Sequence, residues 1–139
     1  MKNIILILLF LSNVNAYSET YYCTQTAKVF VEPDNNVKKY EIFDEIYKLK
    51  IDEVEKKVIF ATLDQLNAFK NSLLFEFDIS SEDYSSNEII ARNREKTLLS
   101  DTKLNFYPDI SSESKLVQTI TNEIYTFVEY FKCIKENKY

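Results

Sequence analysis

The residue types that carry most enzymatic chemistry are scarce in this chain. Histidine is absent, which excludes Ser-His-Asp and Cys-His machinery and the imidazole ligands of many metal sites. Glycine is absent as well, so no glycine-rich loop can cradle a phosphate. The only cysteines are Cys23 and Cys133. They form no Cys-x-x-Cys, and in an oxidising compartment an even pair reads as one structural disulfide. Carboxylates remain. Two of them suffice for glycoside cleavage, and close pairs stand at Asp44 and Glu45, Glu53 and Glu55, and Glu82 and Asp83. Spacing singles out none of these, and each reads as a solvated charge. DISSEDYSSNE, residues 78–88, is rich in oxygen donors but lacks the Asp-x-Asp-x-Asp-Gly order of a calcium loop, so it too reads as solvated. No catalytic, cofactor-binding or metal-ligating residue is assigned. The assigned positions are the two disulfide partners, Cys23 and Cys133.

The beginning of the chain sets the compartment in which those sulfurs would meet. Lys2 precedes an unbroken apolar run from Ile4 to Leu11, followed by polar Ser12, Asn13 and Asn15, with Val14-x-Ala16 as a cleavage site. This is the grammar of a secretory signal peptide over 1–16. The run is too short to span a bilayer, which takes about 20 apolar residues. Cys23 lies too far past Ala16 for a lipid-anchored cysteine, so the processed protein reads as soluble, either periplasmic or secreted. Residues 17–139 then form one exported domain, long enough for a single core and too short for two. The net charge is −5, or −6 once Lys2 is removed, spread along the chain. That favours solubility and disfavours nucleic acid, whose phosphates call for basic patches.

The elements that must position these residues are mostly strands. Leu73, Phe75, Phe77 and Ile79 alternate with Leu74, Glu76 and Asp78, Tyr47, Leu49 and Ile51 with Lys48, Lys50 and Asp52, and Leu104 and Phe106 with Lys103 and Asn105. Tyr21, Cys23, Ala27, Val29 and Val31 share one parity of the first segment. A period of two puts one face of a strand inward. Segments 40–51 and 55–62 read as a hairpin around Asp52-Glu53. Without glycine, turns fall to Asn, Asp, Ser and Pro: Pro33-Asp34-Asn35-Asn36, Asp52-Glu53, residues 80–83 and 108–112. The serine-rich stretch 80–86 is the candidate mobile loop. Thr62-Leu63-Asp64-Gln65 spells a capping box, followed by Leu66 and Phe69 at helical spacing, which predicts a short helix over 63–71. Segment 115–135 carries two patterns. Leu116, Ile120, Ile124, Phe127, Phe131 and Ile134 fit a helical stripe, whereas β-branched and aromatic density favours two strands turning near Thr121-Asn122-Glu123. On the strand reading the fold is mostly β, a small antiparallel barrel or sandwich with one short helix. Its first and last strands lie side by side, joined by Cys23 and Cys133, which would close the sheet and remove two exposed edges.

The signal peptide, the Tyr21-Tyr22-Cys23 opening, the hairpin YKLKIDEVEKKVIF and the ending Phe131-Lys132-Cys133 together resemble small exported β proteins of AT-rich Gram-negative bacteria. In layout the chain is also similar to the periplasmic inhibitors of C-type lysozyme, small antiparallel barrels with Tyr-x-Cys near the start. Tyr21-Tyr22-Cys23 matches that element. The inhibitors' glycine-containing loop motif has no counterpart here, so the resemblance implies no functional residue.

What the composition does supply is aromatic surface: 10 Tyr and 10 Phe, without Trp. Tyr has an apolar body and a polar tip, so a cluster at a barrel mouth can form a recognition patch. The expected function is an exported binding module that recognises another protein, such as an inhibitor or envelope accessory factor, and not an enzyme. It needs no cofactor, and its oligomeric state is left open. Two alternatives stand beside it: a carrier of a small apolar ligand inside the barrel, and a carboxylate-dependent cell-wall hydrolase. A filled interior would favour the binding module, and an open cavity the carrier.

Overall fold

In the computed structural model, residues 18–42, 44–68, 75–85, 87–93, 101–109 and 113–136 are described. The segment read as a signal peptide lies outside them. Among these residues the strands are β1 (Ser18–Val31), β2 (Val37–Lys39), β3 (Ile46–Asp52), β4 (Lys57–Thr62), β5 (Glu76–Tyr84), β6 (Ile89–Asn93), β7 (Asp101–Tyr107), β8 (Ser114–Thr121) and β9 (Thr126–Lys135), with one helix, α1 (Leu63–Ala68), between β4 and β5. Neighbours in the sheet are antiparallel, and pairing of β1 with β9 closes eight of the strands into a barrel. The ninth, β2, pairs only with the last part of β1, beyond the stretch that pairs with β3.

The period-two segments face inward as the alternation predicts. Leu49 and Ile51, Val58 and Phe60, Phe77 and Ile79, Ile89 and Ala91, and Leu104 and Phe106 are buried, with Leu116 and Phe131 completing the wall. Lys50, Asp78, Arg92, Lys115 and Lys132 are exposed on the outside. Burying a Leu, Ile or Phe contributes about 1.5–3 kcal/mol each, so this interior carries the fold. Cys23 and Cys133 stand directly opposite in the β1–β9 ladder, their Cα atoms 4.0 Å apart, and are bonded. The 115–135 region is a strand pair. Asn122 makes its turn, its side-chain oxygen accepting from the N–H groups of Ile124 and Tyr125, both at 2.8 Å.

Local chemistry stands in for glycine at the turns. Asn35 takes a φ of 65°, and the Asp34 carboxylate accepts from both the backbone and side-chain nitrogens of Asn36. Lys56 takes a φ of 54° at the end of the β3–β4 turn, where the Asp52 carboxylate accepts from the N–H groups of Val54 and Glu55. The capping box forms as spelled: Gln65 N–H donates to Thr62 Oγ1 at 3.1 Å, and Thr62 N–H donates to Gln65 Oε1 at 3.0 Å. The helix is described over Leu63–Ala68; the rest of its expected span, and Leu73, lie outside the described residues.

Three expectations change. The first segment does not keep one parity. A bulge between Gln25 and Ala27 inserts Thr26, whose hydroxyl donates to the Tyr130 carbonyl at 3.2 Å. Before it Tyr21, Cys23 and Gln25 face inward; after it Lys28 and Phe30 do, opposite Glu129 and Phe127. Ala27, Val29 and Val31 therefore lie on the outer face, because one extra residue reverses every later side chain. Second, the serine-rich stretch is strand through Tyr84, which pairs with Ile89 across an irregular register and packs on the core. Ser80 to Asp83 lie within that irregularity, between the ladder partners Ile79–Ala91 and Tyr84–Ile89, where the Asp83 carboxylate accepts from Ser80 at 2.7 Å and Arg92 at 3.2 Å. Third, the strand of the 40–51 segment starts at Ile46. Tyr40 follows β2 instead, its N–H donating to the Lys28 carbonyl.

Candidate functional site

One end of the barrel is filled and capped. Tyr21 packs edge-on to Phe106 at 4.8 Å and its hydroxyl donates to Glu19 at 3.1 Å. Burial first, and then the Glu19 charge, hold that phenol well above its ordinary pKa. Beside it Tyr84 is pushed up to about 12 by burial and by a hydrogen bond to Glu53, with Lys56 Nζ 4.3 Å from its ring centre.

The other end is open. Inward positions here change from apolar to polar: Gln25 follows Cys23 on β1, Gln118 follows Leu116 on β8, Glu129 precedes Phe131 on β9, and Thr102 precedes Leu104 on β7. Gln118 and Glu129 are direct ladder partners. Above them lies a cleft of 480 Å³ that Glu129, Gln118 and Thr102 line from below. Its aromatic wall is Tyr47, Phe60, Phe75 and Phe77, and Glu45 and Asp64 complete the rim. Tyr47 stacks on Phe60 at 5.2 Å with 17° between the planes, and meets Phe131 edge-on at 4.8 Å.

Glu129 is the distinctive group. It is 9% exposed, and its Oε2 accepts from Gln25 Nε2 at 2.7 Å. Burial raises its carboxyl above the usual range; the Lys28 charge and the Gln25 hydrogen bond act in the opposite direction without cancelling the rise. Tyr47 is pushed up to about 12, by burial first and then by the charges of Glu129 and Glu45. A carboxylate in such surroundings gains strongly from any positive or hydrogen-donating group that enters.

Past Glu129 the inner faces of β1 and β9 run beyond the barrel rim as a lip. Phe30 and Phe127 are the next inward pair after Lys28 and Glu129, with ring centres 4.8 Å apart. Tyr125 and Tyr40 complete the cluster, 5.3 and 6.0 Å from Phe30. The cluster is partly open to solvent: Tyr40 is 48% exposed and Ile124, beside Tyr125, 68%. A second concavity, of 670 Å³, lies on the outer wall between Tyr107 and Tyr130. Two of its charged residues, Lys132 and Glu113, are paired with each other at 2.8 Å.

The acids named from sequence are scattered. Glu45 reaches the mouth while its neighbour Asp44 is exposed. Glu53 bonds Tyr84 at the opposite end, Glu55 is exposed, and Asp83 is held by Arg92. The mouth brings together Glu45, Asp64 and Glu129, a set that adjacency in sequence does not indicate. The signal for Glu129 was present in Phe127-x-Glu129-x-Phe131-x-Cys133, an acid on the apolar parity of a strand. No family model, curated protein or solved structure matches this chain.

Proposed function

We propose that the chain is an exported binding module that recognises another protein through the barrel mouth and the adjoining lip. The observation that carries this reading is the continuity of the two. One inner face, formed by β1 and β9, passes from a filled core through a polar cleft onto an aromatic surface partly open to solvent at Tyr40 and Ile124. Contiguous exposed apolar surface with a polar rim is the signature of a protein interface. An aromatic lip outside the barrel adds nothing to carriage of a small ligand. A purely apolar cargo also fits poorly against Glu45, Asp64 and Glu129, and the interior below is occupied by side chains such as Leu49, Leu104 and Leu116. Export is supported by the buried disulfide, which suits an oxidising compartment, and no described helix is long and apolar enough to cross a membrane.

The test is affinity capture from envelope extracts and host fluids, with the wild-type chain and an Ile124→Asp, Tyr40→Ser variant run in parallel. A protein retained by the first and lost by the second is expected. If the two retain the same proteins, or neither retains any, the reading falls.

The hydrolase reading has one observation in its favour: a carboxyl raised by burial, Glu129, shares a cleft with two further acids. Release of soluble fragments from purified cell wall, abolished by Glu129→Gln, would establish it in place of the binding module.

A further inference from the structure

We propose that the mouth cleft is a socket for one cationic side chain, lysine or arginine, carried by the partner protein. The proposal rests on the protein-recognition reading and specifies the chemistry of what enters.

Charge is the first argument. Three carboxylates from three separate elements line the cleft: Glu45 ahead of β3, Asp64 on α1 and Glu129 on β9. The facing cation is Lys28, the ladder partner of Glu129. It does not line the cleft, and its Nζ lies 5.3 Å from the centre of the Phe127 ring, towards the lip. Lys28 offsets part of the Glu129 charge from outside the cleft, while the residues that line the socket are net negative. The second argument is the wall. Tyr47, half-buried and stacked on the buried Phe60, lines the cleft beside these acids. Aromatic faces next to carboxylates suit ammonium and guanidinium groups, whereas a hard metal ion would need a shell of oxygens.

Burial is the third argument. Glu129 is more than nine-tenths enclosed, and Gln25 supplies one hydrogen bond to one of its oxygens. A single bond does not saturate a carboxylate, which offers about four acceptor positions. An entering guanidinium or ammonium adds positive charge and further donors to those of Lys28 and Gln25. Size agrees: 480 Å³ lies in the lower part of the range for small-ligand pockets, about 300–1,000 Å³, and suits one long side chain better than a folded segment. Continuity decides between a free cation and a protein-borne one, because the lip with Tyr40 and Ile124 offers the neighbouring surface that a polypeptide would cover.

The experiment is an amide-resolved NMR titration of the exported chain with Nα-acetyl-arginine amide and Nα-acetyl-lysine amide. Nα-acetyl-citrulline amide serves as the neutral isostere. Saturable shifts at Tyr47, Gln118 and Glu129 are expected for the cations alone, weakened at least tenfold by Glu129→Gln. Glu45→Gln combined with Asp64→Asn gives a second readout if the first variant fails to fold. Equal shifts from the citrulline compound, or unchanged affinity in the variants, overturn the socket. So does a captured partner that wild type and Glu129→Gln bind equally tightly, an outcome that leaves protein recognition standing. If the mouth takes the arginine compound but no partner is ever captured, the partner-borne occupant is overturned together with the recognition reading.

Discussion

Ionising a buried carboxyl costs stability, and Glu129 is the residue here to which this applies. Its pKa is higher folded than unfolded because burial disfavours the charge. The folded state thus binds the proton more tightly. The stability linked to this proton is fully present below the ordinary carboxylate range, and it is lost as pH rises through that range to the raised folded value. Glu129→Gln keeps the shape and the contact with Gln25 but carries no charge. Urea midpoints measured from pH 4 to 8 are expected to fall with rising pH in the wild type relative to the variant, and to be higher in the variant at neutral pH. An unchanged difference across that interval would contradict the assigned burial of the charge. Asn35 is the second residue with a definite expectation. Its φ of 65° is tolerated by Asn and Gly and resisted by β-branched residues. Asn35→Gly should leave the thermal midpoint nearly unchanged, while Asn35→Val should cost about 1–2 kcal/mol in a denaturant titration.

At the scale of elements, the β1–β9 pair bears the most. It contains the disulfide, the bulge, the Lys28–Glu129 partners and the base of the lip. The bond spans a sequence separation of 110. Tying so long a loop in the unfolded chain contributes about 4.7 kcal/mol in the chain-entropy model. Replacing both cysteines by alanine should lower the unfolding free energy by about 4 kcal/mol, read from urea titrations at fixed pH. A loss under 1 kcal/mol would mean that the strand ladder alone holds the ends together. The bulge matters in a different way. By inserting Thr26 it turns Lys28 and Phe30 onto the inner face. Without it Ala27 and Val29 would face inward instead, and the aromatic lip would have no continuity with the mouth.

Among the described residues the seams of the ring are unequal. β1 and β9 pair from Tyr21 through Val31, and β7 and β8 along their whole lengths. Between β4 and β5 the described pairing covers only Lys57, Val58 and Ile59 with Asp78, Phe77 and Glu76, beside the cross-strand ion pair of Lys57 and Glu76 at 2.8 Å. Local opening follows the density of buried contacts and ladder bonds. Native-state hydrogen exchange should therefore show the β4 and β5 amides exchanging well before those of Leu116, Phe131 and Cys133. Uniform protection around the ring would refute this ranking. The short seam lies next to the wall of the mouth that holds Phe60, Phe75 and Phe77, so any breathing of the barrel changes the width of the cleft.

Composition and local pattern alone determined the mostly β class, the capping box at Thr62 and Gln65, the turns built on Asn35 and Asp52, and the pairing of Cys23 with Cys133. Each depends on interactions a few residues long, or on there being a single possible partner. Segment 115–135 stayed ambiguous because its apolar residues fit a helical stripe while its β-branched and aromatic density favours strands. Only the ladder from β7 to β8 to β9 settled it. Tertiary structure also decided the parity of β1 and the composition of the mouth. A bulge is stabilised by the neighbouring strand and leaves no mark in its own sequence. The burial of Glu129 beside Glu45 and Asp64 exists only once the ring has closed and brought three distant stretches of chain to one rim.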